Sequence, residues 1–495
     1  MVRIASAIRK SLLLFCLSLF SLGWMSGQSV GEIQWSSFPD QRYEDYPWKE
    51  RIKFGYLTIP ADYRQPEGKT YRLAFVKLSA RRRPALADPI LIFEGGWGKP
   101  SLQSLDFYAN TFLNEDRDLI LLDHRGSGYS SPSMCPELGQ QVFNALMEDL
   151  PYDKLNQVLK RKYDACLDQI EAAGINPFTF GSDTRSQDMI LLAEKLDYPA
   201  YNLLGVSYGT RTILDFMARS RVKIRSAILD SNCPIGWPNN GRMLQDFGRS
   251  LDLLYAACKA DPACQKRYPD LRARYLAFLQ ELETKPLKVK LGDGKFGYLS
   301  AEEVNAIVHQ LLYESSFYGD IPWLMKQMMK RRGFILKRIL QGLEPAVMDN
   351  FNALGLMTNV YDHKSLQDST AQLYQAAIAS YSGLRIFDGY FPYYLQDSRF
   401  TSYADDKPFM TDVPSLILAG EFDPITPPEA SAFLRPYFTE HYYFEFPRVG
   451  HGVVNHYCGR QIIQKFLQEL KDPSGEGCLE RFDEDQIRFR KNIRK

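Results

Sequence analysis

Short, mainly apolar runs bounded by turn-forming residues recur through the first half of the chain, at 89–93, 118–122, 201–204 and 224–229. A strand with one solvated face alternates apolar and polar residues, whereas an unbroken apolar run suits a parallel strand covered on both faces. Helical patterns lie between these runs, as at 186–196 and 211–218, and this alternation predicts a parallel sheet with α/β architecture. Two earlier strands, at 54–59 and 71–78, are expected to start the sheet antiparallel.

From about 238 to 407 the pattern changes to helical segments, at 251–258, 272–282, 302–313 and 366–381, and the strand–helix alternation stops. It resumes with strands at 415–418 and 442–446 around a helix near 428–438. One sheet interrupted by a helical insertion accounts for this order. The expected organisation is a leader at 1–27, a core formed by 28–237 and 405–495, and a helical lid at 238–404. No internal repeat or low-complexity linker is present.

The leader is read from Arg3, Arg9 and Lys10, an apolar run at 12–22, and small or polar residues at Ser26, Gly27 and Gln28. That is the pattern of a secretory signal peptide. Spanning a bilayer takes about 20 apolar residues, so the run is too short for a stable membrane span, and no other segment is long and apolar enough. A lipid anchor at Cys16 is disfavoured by the bulky Phe15 before it. The expected location is therefore periplasmic or extracellular.

Composition excludes little else. The chain has 495 residues, 45% of them hydrophobic and 24% charged, which is ordinary for a large globular core. Its 60 basic and 59 acidic residues give a net charge of +1, so nucleic acid is not an expected partner. Seven of the eight cysteines lie beyond the leader, and an oxidising compartment would pair them. Sequence does not fix connectivity, but proximity suggests Cys135 with Cys166, Cys258 with Cys264 and Cys458 with Cys478, leaving Cys233 as a buried thiol. No spacing matches a metal site.

Chemistry enters at Gly205-Val206-Ser207-Tyr208-Gly209, directly after an expected strand and before an expected helix. This is the nucleophile-elbow context of the α/β-hydrolase fold, in which glycines permit a tight turn that presents the serine hydroxyl. Serine needs a base, and the base needs an acid to orient it. Of the six histidines, His451 alone lies in a glycine turn just after the last strand. Asp423, in the turn after the preceding strand, gives the chain order Ser, Asp, His; Asp230, closing the strand at 224–229, is the competing acid. Oxyanion donors are expected from the backbone N–H of Tyr208 and of Gly96, the latter in the glycine-rich loop 94–98. No cofactor is needed.

Together, Gly95-Gly96-Trp97-Gly98, Asp123-His124-Arg125-Gly126-Ser127-Gly128, the serine elbow, Gly420-Glu421-Phe422-Asp423-Pro424 and Gly450-His451-Gly452 resemble the secreted tripeptidyl and prolyl aminopeptidases. The resemblance runs over about 50–480 and implies Ser207, Asp423 and His451 as a triad, with Asp123 and Arg125 in a turn bracing the oxyanion loop. Trp97 departs from the family, which usually has proline there. The resemblance also implies a peptide substrate with a free N-terminus, whose ammonium group needs a carboxylate. Glu94, Glu302, Glu303, Glu314 and Asp320 are candidates, and the aromatics Phe387, Tyr390, Phe391, Tyr393 and Tyr394 line either a subsite or the core of the lid. Two other readings remain open: a secreted carboxylesterase or lipase-like enzyme using the same triad, and a catalytically silent binding protein.

Overall fold

The computed structural model describes residues 29–380 apart from 44 and 293–294, then 384, 394, 410–474, 477–479 and 487–490. The leader segment, Cys16, and the aromatics Phe387, Tyr390, Phe391 and Tyr393 lie outside the described residues.

The strands are β1 (Ile33–Ser36), β2 (Ile52–Pro60), β3 (Thr70–Leu78), β4 (Ile90–Phe93), β5 (Leu119–Leu122), β6 (Tyr201–Val206), β7 (Ile224–Asp230), β8 (Leu287–Gly292), β9 (Lys295–Leu299), β10 (Ser415–Gly420) and β11 (His441–Phe446). Nine of them form one sheet in the order β1-β2-β3-β5-β4-β6-β7-β10-β11. β1 to β3 enter antiparallel, and β3 meets β5 antiparallel. From β5 onward every pairing is parallel.

Burial explains the apolar runs. In β4, Ile90 and Ile92 pack on one face with Leu119, Leu121, Ile228 and Leu416. Leu91 and Phe93 pack on the other with Ile120, Leu122, Leu203 and Ile417. Successive side chains of a strand point to opposite faces, so a strand covered on both sides leaves room only for polar residues that find a buried partner, as Ser226 does by donating to Asn202 at 2.7 Å.

Between β7 and β10 the described chain is mainly helical, including Asn239–Ala260, Leu271–Leu282, Ala301–Leu312, Ile321–Met329, Lys337–Asn350, Ala353–His363 and Gln367–Ser380. A third apolar cluster joins these helices to Leu138–Leu146 and Tyr152–Ala172, which precede β6. The antiparallel hairpin β8–β9 interrupts the helical pattern. Its signal was present in the sequence alternation around Val289, but it is too short to stand out among long helices. Three disulfides form, Cys135–Cys166, Cys258–Cys264 and Cys458–Cys478, and Cys233 is a buried free thiol. No helix among the described residues is long and apolar enough to cross a membrane.

Candidate active site

The segments that carry the candidate residues all leave the carboxyl ends of parallel strands: loop 94–98 after β4, Ser207 after β6, Asp423 after β10 and His451 after β11. In open α/β sheets this is the edge where loops converge on ligands.

Ser207 has φ 57° and ψ −128°, a strained conformation for a residue with a Cβ. The strain is imposed by the abrupt change from β6 to the Tyr208–Arg219 helix, and it is held by the Ser207 N–H donating to the Asp230 carbonyl at 2.9 Å. The flanking glycines have steric reasons. A Cβ at Gly209 would lie 1.9 Å from the Phe93 carbonyl oxygen, and one at Gly205 would lie 2.7 Å from Ile213. Gly209→Ala is accordingly expected to lower stability by about 1–3 kcal/mol, measurable as a fall in the denaturant midpoint; an unchanged midpoint would contradict the close packing of elbow and β4.

Asp423 is fully buried and saturated with donors. Its Oδ1 accepts from the N–H groups of Ile425 at 3.0 Å and Thr426 at 2.8 Å, and its Oδ2 from the Thr426 hydroxyl at 2.8 Å. The same Oδ2 meets His451 Nδ1 at 2.8 Å. Burial alone would raise its pKa, but the His451 charge and these hydrogen bonds outweigh that and hold it below the usual carboxylate value. For His451, burial pulls downward; Asp423 chiefly, with Asp230 and Glu314, more than compensates, so its pKa is raised. The His451 backbone N–H donates to the Tyr313 carbonyl at 2.8 Å, and the imidazole packs against the Tyr313 ring, whose centroid lies 4.6 Å away.

The competing acid Asp230 is engaged elsewhere. Its two oxygens accept from the N–H groups of Val453 at 2.9 Å and Val454 at 2.7 Å, fixing the turn just after His451. Burial pushes its pKa up to about 6 against the pull of those donors.

A family model described as the alpha/beta hydrolase fold matches residues 88–454. The chain belongs to that family. The tripeptidyl aminopeptidases of Streptomyces lividans and Streptomyces coelicolor are each 28% identical over 179 residues. That stretch is 34% of this chain and 32% of theirs, so the match spans about a third of the length of these curated relatives. Among solved structures, the proline iminopeptidase of Mycobacterium smegmatis is 14% identical with a TM-score of 0.36, covering 84% of this chain and 98% of the other. A thermophilic esterase from Thermogutta terrifontis is 13% identical with a TM-score of 0.35, over 84% and 98%.

In this α/β hydrolase a cavity of about 620 Å³ is lined by Ser207, Tyr208, Gly96 and His451, and mainly by apolar side chains beyond them. The cavity sorts the candidate carboxylates. Glu94, Glu303 and Glu314 line it, whereas Glu302 and Asp320 are not among its lining residues. Asp320 accepts from Arg490 at 2.9 Å. Glu94 faces Lys99 at 3.4 Å. Glu303 Oε2 accepts from the Ser300 N–H at 2.8 Å, while its Oε1 is buried without a hydrogen-bond partner among the described residues. Burial pushes the Glu303 carboxyl up to about 7. Glu314 is raised by partial burial. Glu421 accepts from the Arg448 N–H at 2.8 Å and braces the loop before His451.

Three of the other histidines have structural hydrogen-bond partners. His456 Nδ1 accepts from the Cys458 N–H at the start of the Tyr457–Glu469 helix, His363 pairs with the Asn359 carbonyl at 2.9 Å and His441 with that of Phe438 at 2.9 Å. His309 is a cavity wall that sequence reasoning left in the lid; burial lowers its pKa to about 4. Asp123 accepts from the N–H groups of Leu102 and Tyr129, and Arg125 forms a buried ion pair with Asp188 at 2.6 Å. Tyr394 is buried against the Tyr152–Ala172 helix, its hydroxyl bonding to Asp164 at 3.1 Å. Sequence reasoning also missed Arg185 and Asp362, which lie behind Tyr208 and carry no local motif.

Proposed function

We propose that the protein is an exported serine aminopeptidase working through an acyl-enzyme, with residues 238–404 as a lid over Ser207. The observation that carries this reading is the 2.8 Å contact between buried Asp423 and His451, beside a cavity whose wall contains Ser207. Three disulfides support an oxidising compartment and hence export.

In the proposed cycle, His451 takes the Ser207 hydroxyl proton as Oγ bonds to the scissile carbonyl carbon. The tetrahedral oxyanion accepts from the N–H groups of Gly96 and Tyr208. Collapse breaks the C–N bond, His451 delivers the proton to the leaving amine, and water repeats the sequence to release the acyl group. Asp423 steadies the imidazolium formed on the way. The same chemistry cleaves esters, so preference for peptides rests on the aminopeptidase relatives and on the cavity carboxylates.

Glu303 is the carboxylate best suited to an incoming ammonium group, because its second oxygen is buried in the cavity wall and lacks a partner among the described residues. An ammonium beside it would favour its ionised form. Glu303→Gln is expected to raise KM for free-amine peptides by about tenfold, roughly the worth of one charge-assisted hydrogen bond, and to leave N-terminally blocked substrates unaffected. In the wild type, KM for free-amine substrates should rise as pH falls below about 7, where Glu303 protonates. The glutamine variant should lack that rise. Chromogenic peptides and matched esters, free and blocked, measure this; equal or better turnover of blocked peptides or simple esters would replace the aminopeptidase reading with the esterase one.

A further inference from the structure

The oxyanion loop lacks the proline of the families it resembles, and its shape is held from outside. The Asn352 side-chain amide donates to the Gly98 carbonyl at 3.2 Å. One carbonyl earlier, the Trp97 oxygen accepts from the Arg185 guanidinium. Arg185 stands in the first turn of the Ser182–Leu196 helix and has no solvent-exposed surface.

The same Nη2 that reaches Trp97 also donates to the Thr358 hydroxyl, which itself donates to the Phe180 carbonyl at 2.9 Å. The Arg185 guanidinium carbon lies 5.1 Å from the centroid of the Tyr208 ring, within the range of a cation–π contact. On its far side the Tyr208 hydroxyl donates to Asp362, which also pairs with Arg211 at 3.5 Å. Thr358 and Asp362 both belong to the Ala353–His363 helix. A single buried cation thus touches the two segments that carry Gly96 and Tyr208, and one helix anchors both contacts.

We propose that Arg185 is a positioning residue that sets the distance between the two oxyanion donors, supplying through its contacts the rigidity that proline would otherwise give loop 94–98. This rests on the assignment of Gly96 and Tyr208 as those donors. A point charge would not do the same work. Nη2 alone reaches the carbonyl and the hydroxyl while the guanidinium carbon lies over the Tyr208 ring, a combination that a lysine ammonium on a flexible stem does not reproduce. The Trp97 carbonyl is two peptide units from the Gly96 N–H, so losing its donor lets the loop shift where the transition state is most sensitive. The Ala353–His363 helix, although part of the inserted segment, then acts as a fixed support of the site and not as a moving cover.

The test is steady-state kinetics of Arg185→Lys, Arg185→Met and Thr358→Val on a chromogenic peptide, with binding of a peptidyl boronate as a tetrahedral mimic. A displacement of the order of 1 Å costs about a hundredfold, so Arg185→Met should lose about 30- to 100-fold in kcat with KM nearly unchanged. Boronate affinity should fall in proportion to kcat/KM, because the lost interaction exists only with the oxyanion. Arg185→Lys should show the same split at smaller size, and it carries the test if the methionine variant does not fold; Thr358→Val, which keeps the Trp97 contact, should lose least. A loss confined to melting temperature or to KM, with kcat and boronate binding intact in the folded variants, overturns the proposal. A wild-type enzyme that neither turns over substrate nor labels at Ser207 would instead remove the hydrolase reading, and this proposal with it.

Discussion

Ser207→Ala is expected to lower turnover by at least about a thousandfold, with stability almost unchanged. Alanine keeps the Cβ and therefore the strained φ of 57°, so the elbow geometry and its strain are retained while the nucleophilic oxygen is lost. Ser207→Gly would be equally inactive but more stable by about 1 kcal/mol, because glycine tolerates positive φ without the Cβ clash. The pair separates chemistry from folding. A fluorophosphonate probe should label the wild type at Ser207 and neither variant; failure of the folded wild type to label would sink both the peptidase and the esterase readings and favour a silent binding protein.

The second large effect is expected at Asp423 and not at Asp230. Asp423→Asn should reduce kcat by about ten thousandfold, because an amide in place of the carboxylate favours the wrong imidazole tautomer and no longer stabilises the imidazolium. The pH profile supplies an independent sign. His451 must be neutral to act as base, so kcat/KM should rise with pH through a midpoint above 6.5, the ordinary histidine value, since Asp423 raises the His451 pKa against the effect of burial. Removing the Asp423 charge should move that midpoint down. Asp230→Asn should instead lower stability by about 1–3 kcal/mol through mismatched partners for the Val453 and Val454 N–H groups, with a smaller loss of turnover. If Asp230→Asn proved the more damaging to kcat, the assignment of the acid would have to be exchanged.

Arg185 extends the same argument away from the reacting atoms. Its contacts, if they set the oxyanion geometry as proposed, would explain how a chain with Trp97 in place of proline keeps a rigid loop. They would also divide the inserted segment into a supporting part, at Ala353–His363, and a part free to admit substrate.

The strands at 89–93, 118–122, 201–204 and 224–229 were legible because burial on both faces of a parallel sheet disfavours most polar side chains, a constraint written directly into consecutive positions. β4, β5, β6 and β7 lie there to within two residues. The elbow was legible for a similar reason. Gly205 and Gly209 are demanded by contacts to a neighbouring helix and strand, yet the demand falls on residues adjacent in the chain. Neighbouring cysteines likewise pointed to their partners. The hairpin β8–β9 and the helices Leu138–Leu146 and Tyr152–Ala172 were harder to separate from their surroundings, since their apolar faces meet one another in a cluster assembled from distant segments.

What the sequence by itself determined was the sheet, the helical interruption and the short list of candidate residues for acyl transfer. It did so because periodicity and tight turns are local constraints, readable from consecutive side chains. Only the tertiary structure decided that Asp423 faces His451 while Asp230 braces the turn beyond it, that Glu303 and Glu314 reach the cavity while Asp320 is held by Arg490, and that Arg185 stands between Trp97 and Tyr208. Each of these depends on segments from 23 to more than 200 residues apart being brought within a few ångströms. The role of a charge is set by which partners share its low-dielectric surroundings, and no local pattern records that.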